Sequence, residues 1–319
     1  MTLRIETFSN QKGGDCFFKA LGHPGAQDAA RIMLRDLHAG GPVALYDPFG
    51  FAEGFAALHP LDGIDLAGVF VQDIRRIGQT ILGRAAQPVT DLAASRAKTI
   101  LLLAFDAERP LAHMHHLVPV GARIVTLDEM RLPAEALANE RRYLDPLNFA
   151  TNFAFFRDAE GQHTRVVTSN YWSGYGAGTV TLWLKLFDHA GKSLAEWRET
   201  LPPRGATVAI DSKAVRARFG LAPFTGQLFI HAVGAAGHDI VKYALDTYGD
   251  DDTVLSCTHD ANAWPADLYA GLPAPDAGER VILWIQNSHP CPIPAKGVGL
   301  NLMGSDDVYW LDRAVEPFG

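Results

Sequence analysis

The stretch Val43-Ala44-Leu45-Tyr46, then Asp47-Pro48-Phe49-Gly50, then Phe51-Ala52-Glu53-Gly54-Phe55-Ala56-Ala57-Leu58 decides the fold of the first half of the chain. Four consecutive apolar residues suit a strand buried on both faces, Pro and Gly in the next four suit a turn, and the run to Leu58 suits a short helix. The same alternation extends outward. Ala26 to His38 reads as a helix, with Ile32, Met33 and Leu37 at helical spacing and Gly40-Gly41 ending it. Gly68 to Val71, Ile100 to Phe105 and Ile124 to Thr126 read as strands, and Asp91 to Ser95 and Pro110 to Leu117 as helices. Short buried strands alternating with helices predict a Rossmann-like α/β domain over residues 1–145, with a parallel sheet and helices on its faces.

After residue 145 the texture changes. All six tryptophans and six of the eight tyrosines lie beyond residue 150. Phe153 to Arg157, Thr164 to Asn170, Val180 to Asp188, Ser193 to Leu201, Thr207 to Asp211, Gln227 to Val233, Ile240 to Tyr248, Val254 to Thr258, Val281 to Asn287 and Gly299 to Met303 read as strands. Turn signals at Asp158 to Gly161, Asp188 to Gly191 and Pro202 to Gly205 separate them, and Ser212 to Phe219, closed by Gly220, is the one helix expected. Many short strands with polar turns predict an antiparallel β-sandwich over residues 146–319, so the whole chain reads as α/β plus all-β. The boundary falls at Leu132–Pro146, where Pro133 to Arg142 reads as a short exposed helix.

The formal net charge of the 319 residues is −8, and −6 of it lies in residues 146–319. An acidic chain without a basic stripe is a poor partner for nucleic acid or an anionic membrane. Three cysteines cannot build a disulfide framework, and no run approaches the length of a membrane span, so the expected setting is the cytoplasm. The N-terminus lacks the apolar run of a signal peptide.

The turn after Tyr46 stands where a dinucleotide-binding fold carries its glycine-rich loop, but only Gly50 and Gly54 are present and the spacing G-x-G-x-x-G is not met. Gly68-Val69-Phe70-Val71-Gln72-Asp73, then Ile77-Gly78-Gln79-Thr80-Ile81-Leu82-Gly83, then Pro88-Val89-Thr90-Asp91-Leu92 resembles the N-terminal Rossmann-type domain of bacterial polysaccharide-biosynthesis sugar acyltransferases over residues 42–127. The resemblance implies a nucleotide-sugar cleft at Asp47, Gly50, Gln72 and Asp73. That family's left-handed β-helix has no counterpart here, so its acyl transfer is not carried over.

Two segments of the second half could carry chemistry. Cys257-Thr258-His259 and His289-Pro290-Cys291 each place a thiol and an imidazole two residues apart, which in a strand puts both on one face. Brought together, Cys257, His259, His289 and Cys291 would make a tetrahedral set suited to zinc, with Asp260 orienting an imidazole. Aromatic and polar residues also crowd two loops. Tyr171, Trp172 and Tyr175 lie in the first, and Asp260, Asn262, Trp264 and Tyr269 in the second. Flat apolar faces with polar handles suit a sugar or another small polar ligand, and sandwich loops are where such folds bind. Trp183, Trp197 and Trp284, within expected strands, read as core. His113 and His116 share a helix face, without a matching carboxylate or thiol. Phe224 to Ile230 followed by Lys242 to Asp246 resembles the sensory-rhodopsin-transducer type of β-domain, which implies a binding module. No nucleophile elbow, P-loop or H-E-x-x-H motif occurs. The expected function is therefore binding of a small polar ligand, a carbohydrate or nucleotide-sugar among them, or of a protein partner, with a homo-oligomer allowed. The alternatives are a metal-dependent enzyme with this Cys/His site at the strand ends of the sandwich, and a structural or regulatory adaptor.

Overall fold

The computed structural model describes residues 5–7, 16–202, 207–251, 255–260, 266–269, 276–278, 280, 282–301 and 305–319. They form two compact units. One is Cys16–Asp145, and the other is Pro146–Gly319 joined by the short strand β1 (Ile5–Thr7).

The Cys16–Asp145 unit runs α1 (Cys16–Gly22), α2 (Gln27–Ala39), β2 (Val43–Tyr46), α3 (Ala52–Leu58), β3 (Leu66–Val71), a small hairpin β4 (Thr80–Ile81) and β5 (Arg84–Ala85), β6 (Gln87–Pro88), β7 (Thr99–Leu102), α4 (Glu108–Met114) and β8 (Arg123–Thr126). The sheet order is β6-β3-β2-β7-β8, with every neighbouring pair parallel. All four residues of β2 and of β7 are buried, as a central parallel strand covered on both faces requires. On α2 the buried stripe is Ala30, Met33 and Leu37, and Ile32 is exposed. Ile32 and Met33 are one residue apart, about 100° around the helix, so they cannot share a narrow stripe.

The expected helix over Pro133 to Arg142 is reduced to one 3-10 turn, Ala134–Ala136. The flanking residues hold the chain in an irregular strap instead. The Tyr143 hydroxyl accepts from Leu132 N at 3.0 Å, Tyr143 N donates to Asp106 at 2.9 Å, and Arg131 joins Asp106 to Asp128.

The second unit contains β9 (Thr151–Ala159), β10 (Gln162–Ser169), β11 (Thr181–Asp188), β12 (Ser193–Thr200), β13 (Thr207–Asp211), α5 (Ser212–Phe219), β14 (Phe224–Val233), β15 (Tyr243–Gly249), β16 (Leu255–Asp260), β17 (Ala266–Tyr269, paired with β1), and a two-residue pairing of β18 (Gly299–Leu300) with β19 (Tyr309–Trp310). The β9–β10 hairpin turns through Glu160 and Gly161, both at positive φ, as a tight hairpin demands. Beyond it, β10 pairs β9 only at Gln162 and His163 and then runs between β13 and β15. The strand set therefore folds at this corner into two antiparallel layers, β12-β11-β14-β9 and β13-β10-β15-β16. Alternate residues of the layers share one core: Phe156, Leu182, Leu184, Leu186, Leu228 and Ile230 from the first, and Val166, Ile210 and Tyr243 from the second. Each fully buried Leu, Ile or Phe contributes roughly 1.5–3 kcal/mol against exposure.

The outer face of the first layer is also apolar. Phe153, Trp183, Phe187 and Phe229 lie there and pack with Phe318 of the C-terminal segment. The strand expected over Val281 to Asn287 is not formed: residues 282–287 pair with no strand among the described residues and lie against this outer face. Among the described residues no helix is long and apolar enough to cross a membrane.

Candidate functional site

At the C-terminal end of β2 the Asp47 carboxylate is fully buried. Its oxygens accept from the backbone N–H of Gly50 (2.8 Å), Phe51 (2.7 Å) and Ala52 (3.2 Å), and Arg76 pairs with it at 3.0 Å. These amides open α3, where a nucleotide phosphate would seat in a dinucleotide fold. A side-chain carboxylate already fills that position. Gly50 has φ 87° and lies beside the Arg76 guanidinium. Gln72 accepts from the Tyr46 hydroxyl at 2.9 Å, and Asp73 caps the turn Ile74–Arg76 while pairing with Arg75. The four residues lie at or just beyond the C-terminal ends of β2 and β3, and each of the three polar side chains is taken up by a protein partner: Asp47 by Arg76 and the α3 amides, Gln72 by Tyr46, and Asp73 by Arg75.

The first aromatic loop is a 3-10 turn, Tyr171–Tyr175, capped by Asn170 and ended by Gly176 at φ 86°. Trp172 is fully buried in the sandwich core, and its indole N–H donates to the His238 carbonyl at 2.9 Å. Tyr171 stacks on it at 4.1 Å and bonds the Ile240 carbonyl and Lys242 N, and burial raises its hydroxyl pKa to about 12. Trp172 thus belongs to the core, and half-buried Tyr171 packs on it with its hydroxyl tied to the backbone. Tyr175 remains 56% exposed, its hydroxyl 2.9 Å from His238 Nε2. In the second loop, Asn262 and Trp264 lie outside the described residues, and Asp260 and Tyr269 are placed by backbone only, on β16 and β17.

Cys257 lies exposed on β16 opposite Asp246 of β15, and the hydrogen bond to that carboxylate, with burial second, raises its thiol pKa. His259 follows on the same strand, placed by backbone only. His289 and Cys291 belong to the C-terminal segment, which rests on the other layer. Burial lowers the His289 pKa and raises that of Cys291. The two Cys/His segments thus pack on different layers. Among the described residues no three His, Cys, Asp or Glu side chains are grouped to hold a metal ion.

The site that the structure does build lies where sequence reasoning placed core. A cleft of about 460 Å³ opens between the outer face of β9 and β14 and the C-terminal segment, walled by Phe155, Thr225 and Gly226 on one side and by Leu283 to Gln286, Leu311 and Arg313 to Glu316 on the other. Trp284 is 45% exposed in this cleft, tilted on Phe155 at 5.4 Å, with the Arg157 guanidinium 4.9 Å from its ring centre. His189, Gln286, Arg313 and Glu316 add polar groups. Buried Asn287 supports the wall. Its Nδ2 donates to the carbonyls of Cys291 (2.8 Å), Glu316 (3.0 Å) and Val315 (3.2 Å), while its own carbonyl accepts from Gln227 at 2.8 Å. One signal was present in the sequence: Val281 to Ile285 is apolar without alternation, unlike a strand of an antiparallel layer with one wet face.

At the opposite edge of β9, His163 is buried between two carboxylates, with Nδ1 2.5 Å from Asp158 and Nε2 2.7 Å from Asp250. Arg216 and Lys213 of α5 flank these acids at 3.1 and 3.5 Å. The imidazole, the two carboxylates, the guanidinium and the ammonium thus satisfy one another. Comparison of the chain with protein families, curated proteins and solved structures found no match.

Proposed function

We propose that this chain is a binding protein for a small polar ligand, taken in the cleft between the outer face of β9 and β14 and the C-terminal segment. The half-exposed Trp284 at that cleft is the observation that carries the reading. A large aromatic left open to solvent forgoes the burial that most indoles obtain, and here polar side chains surround it. The volume falls within the range of small-molecule sites, and a mostly apolar lining with a few polar groups is the composition such sites share. The aromatic platform expected from the sequence is thereby moved from the Tyr171–Tyr175 loop to Trp284.

The test is calorimetric titration of the whole protein with a library of small polar metabolites, followed in parallel by tryptophan fluorescence. At least one compound should bind, and Trp284→Ala should remove that binding while leaving the circular dichroism spectrum unchanged. Binding that survives Trp284→Ala places the ligand elsewhere and defeats the reading.

A further inference from the structure

We infer that the ligand of the Trp284 cleft is a neutral saccharide, whose ring stacks on the open face of the indole while its hydroxyls bridge Arg313 and Glu316. The inference rests on the reading of the cleft as a binding site and narrows it to one chemical class.

The platform comes first. Phe155 and Arg157 are two residues apart on β9, so their side chains leave the same face of the strand. Both touch Trp284, Phe155 with a ring at 5.4 Å and Arg157 with a guanidinium at 4.9 Å from the indole centre. The indole is therefore propped on these two side chains, and Trp284 stays 45% exposed where it lines the cleft. One flat apolar face on a half-open cleft accommodates the apolar face of a sugar ring.

Charge narrows the class further. The Arg157 guanidinium already uses the indole quadrupole from beneath. Its charge is met by Glu160 at 2.6 Å, so the platform carries no net charge to draw an ionic ligand. On the wall, Arg313 and Glu316 are both exposed and carry opposite charges, so together they call for no net charge on the ligand. What they do offer is a donor fork and an acceptor pair in the lining of one cleft. A sugar hydroxyl both donates and accepts, and a ring with several of them can satisfy both residues at once. The Gln286 amide, at the same cleft, adds one more donor and acceptor of the same kind.

The test titrates the full chain with neutral disaccharides (cellobiose, maltose, lactose and chitobiose), glucuronate, glucosamine and adenosine, by calorimetry and by tryptophan fluorescence. The expected result is saturable binding of at least one neutral disaccharide, weakened tenfold or more by Trp284→Ala and several-fold by each of Arg313→Ala and Glu316→Gln. Trp310→Ala, exposed and outside the cleft lining, should leave the affinity unchanged. Because Arg313 and Glu316 are exposed, their variants keep the test valid if Trp284→Ala fails to fold. Tighter Trp284-dependent binding of glucuronate or glucosamine than of any disaccharide would overturn the neutral charge of the ligand, and tighter binding of adenosine the saccharide class, and either would keep the cleft. Absence of Trp284-dependent binding by every probe would overturn both.

Discussion

Asp47 gathers three backbone amides and one guanidinium around a carboxylate that no water reaches. Such a charge is tolerable in the interior only because each of its lone pairs has a partner. Asp47→Ala would leave Arg76 and the first amides of α3 without their acceptor. Unfolding of the Cys16–Asp145 unit should then become easier by about 3–5 kcal/mol, the usual cost of breaking a buried pair. Asp47→Asn, which keeps the shape and one acceptor oxygen, should cost less. Denaturant melts of both variants check the order. The acidity of the turn was legible in the sequence, as was its poor fit to a phosphate. That Asp47 folds back onto the amides was not, because this depends on Arg76, which lies 29 positions further on and reaches the site only once β3 is paired beside β2.

At the scale of elements, the central strands of both units and α5 follow from the sequence because each buries or caps itself by a local rule. Asp211 accepts from Lys213 N and Ala214 N at one end of α5, and Gly220 takes the left-handed turn at the other. The C-terminal segment obeys no such rule. Its residues are held by Asn287, by Gln227 and by the stacking of Phe318 on Phe187, all contacts between distant parts of the chain. Asn287→Ala removes one side chain that serves three carbonyls, and should loosen residues 287–291 and 315–319 by about 1–3 kcal/mol, read as faster amide hydrogen exchange there. Ligand affinity should fall in the same variant, since one wall of the cleft is the element being released. The β11–β14 pairing makes a sharper demand at Gly226, where a Cβ would stand 1.9 Å from the Phe187 carbonyl oxygen. Gly226→Ala must displace backbone and not a pliable side chain. A loss of several kcal/mol, or an insoluble product, is expected, and a Tm within a few degrees of the parent would contradict the pairing.

For the molecule as a whole, acid stability should follow the histidines whose burial lowers their pKa, His59 in one unit and His231 with His289 in the other. Burial lowers the pKa of His59 to about 4, and its Nε2 faces the Leu21 carbonyl at 3.2 Å as the donor of a neutral ring. Burial likewise lowers His231 to about 4. An exposed histidine in the unfolded chain titrates near 6.5. Between these values the unfolded state takes up protons that the native state refuses, so stability falls as pH falls. The contribution is complete above about 6.5, declines down to about 4, and is flat below, with each histidine accounting for up to about 3 kcal/mol at 1.36 kcal/mol per unit. The carboxylates that Arg96, Arg75 and His163 hold below their ordinary range, Asp65, Asp73 and Asp250, act in a lower window. Their contribution is present above about 4 and is lost only as pH falls further. Urea melts at pH 7.5, 6.5, 5.5 and 4.5 should therefore show a steady loss of stability above the range in which these three aspartates titrate. His59→Gln should flatten the pH dependence of the transition that reports on Cys16–Asp145, and His231→Gln that of the sandwich. A stability independent of pH over this range, or a slope unchanged in both variants, would show that neither imidazole is held neutral.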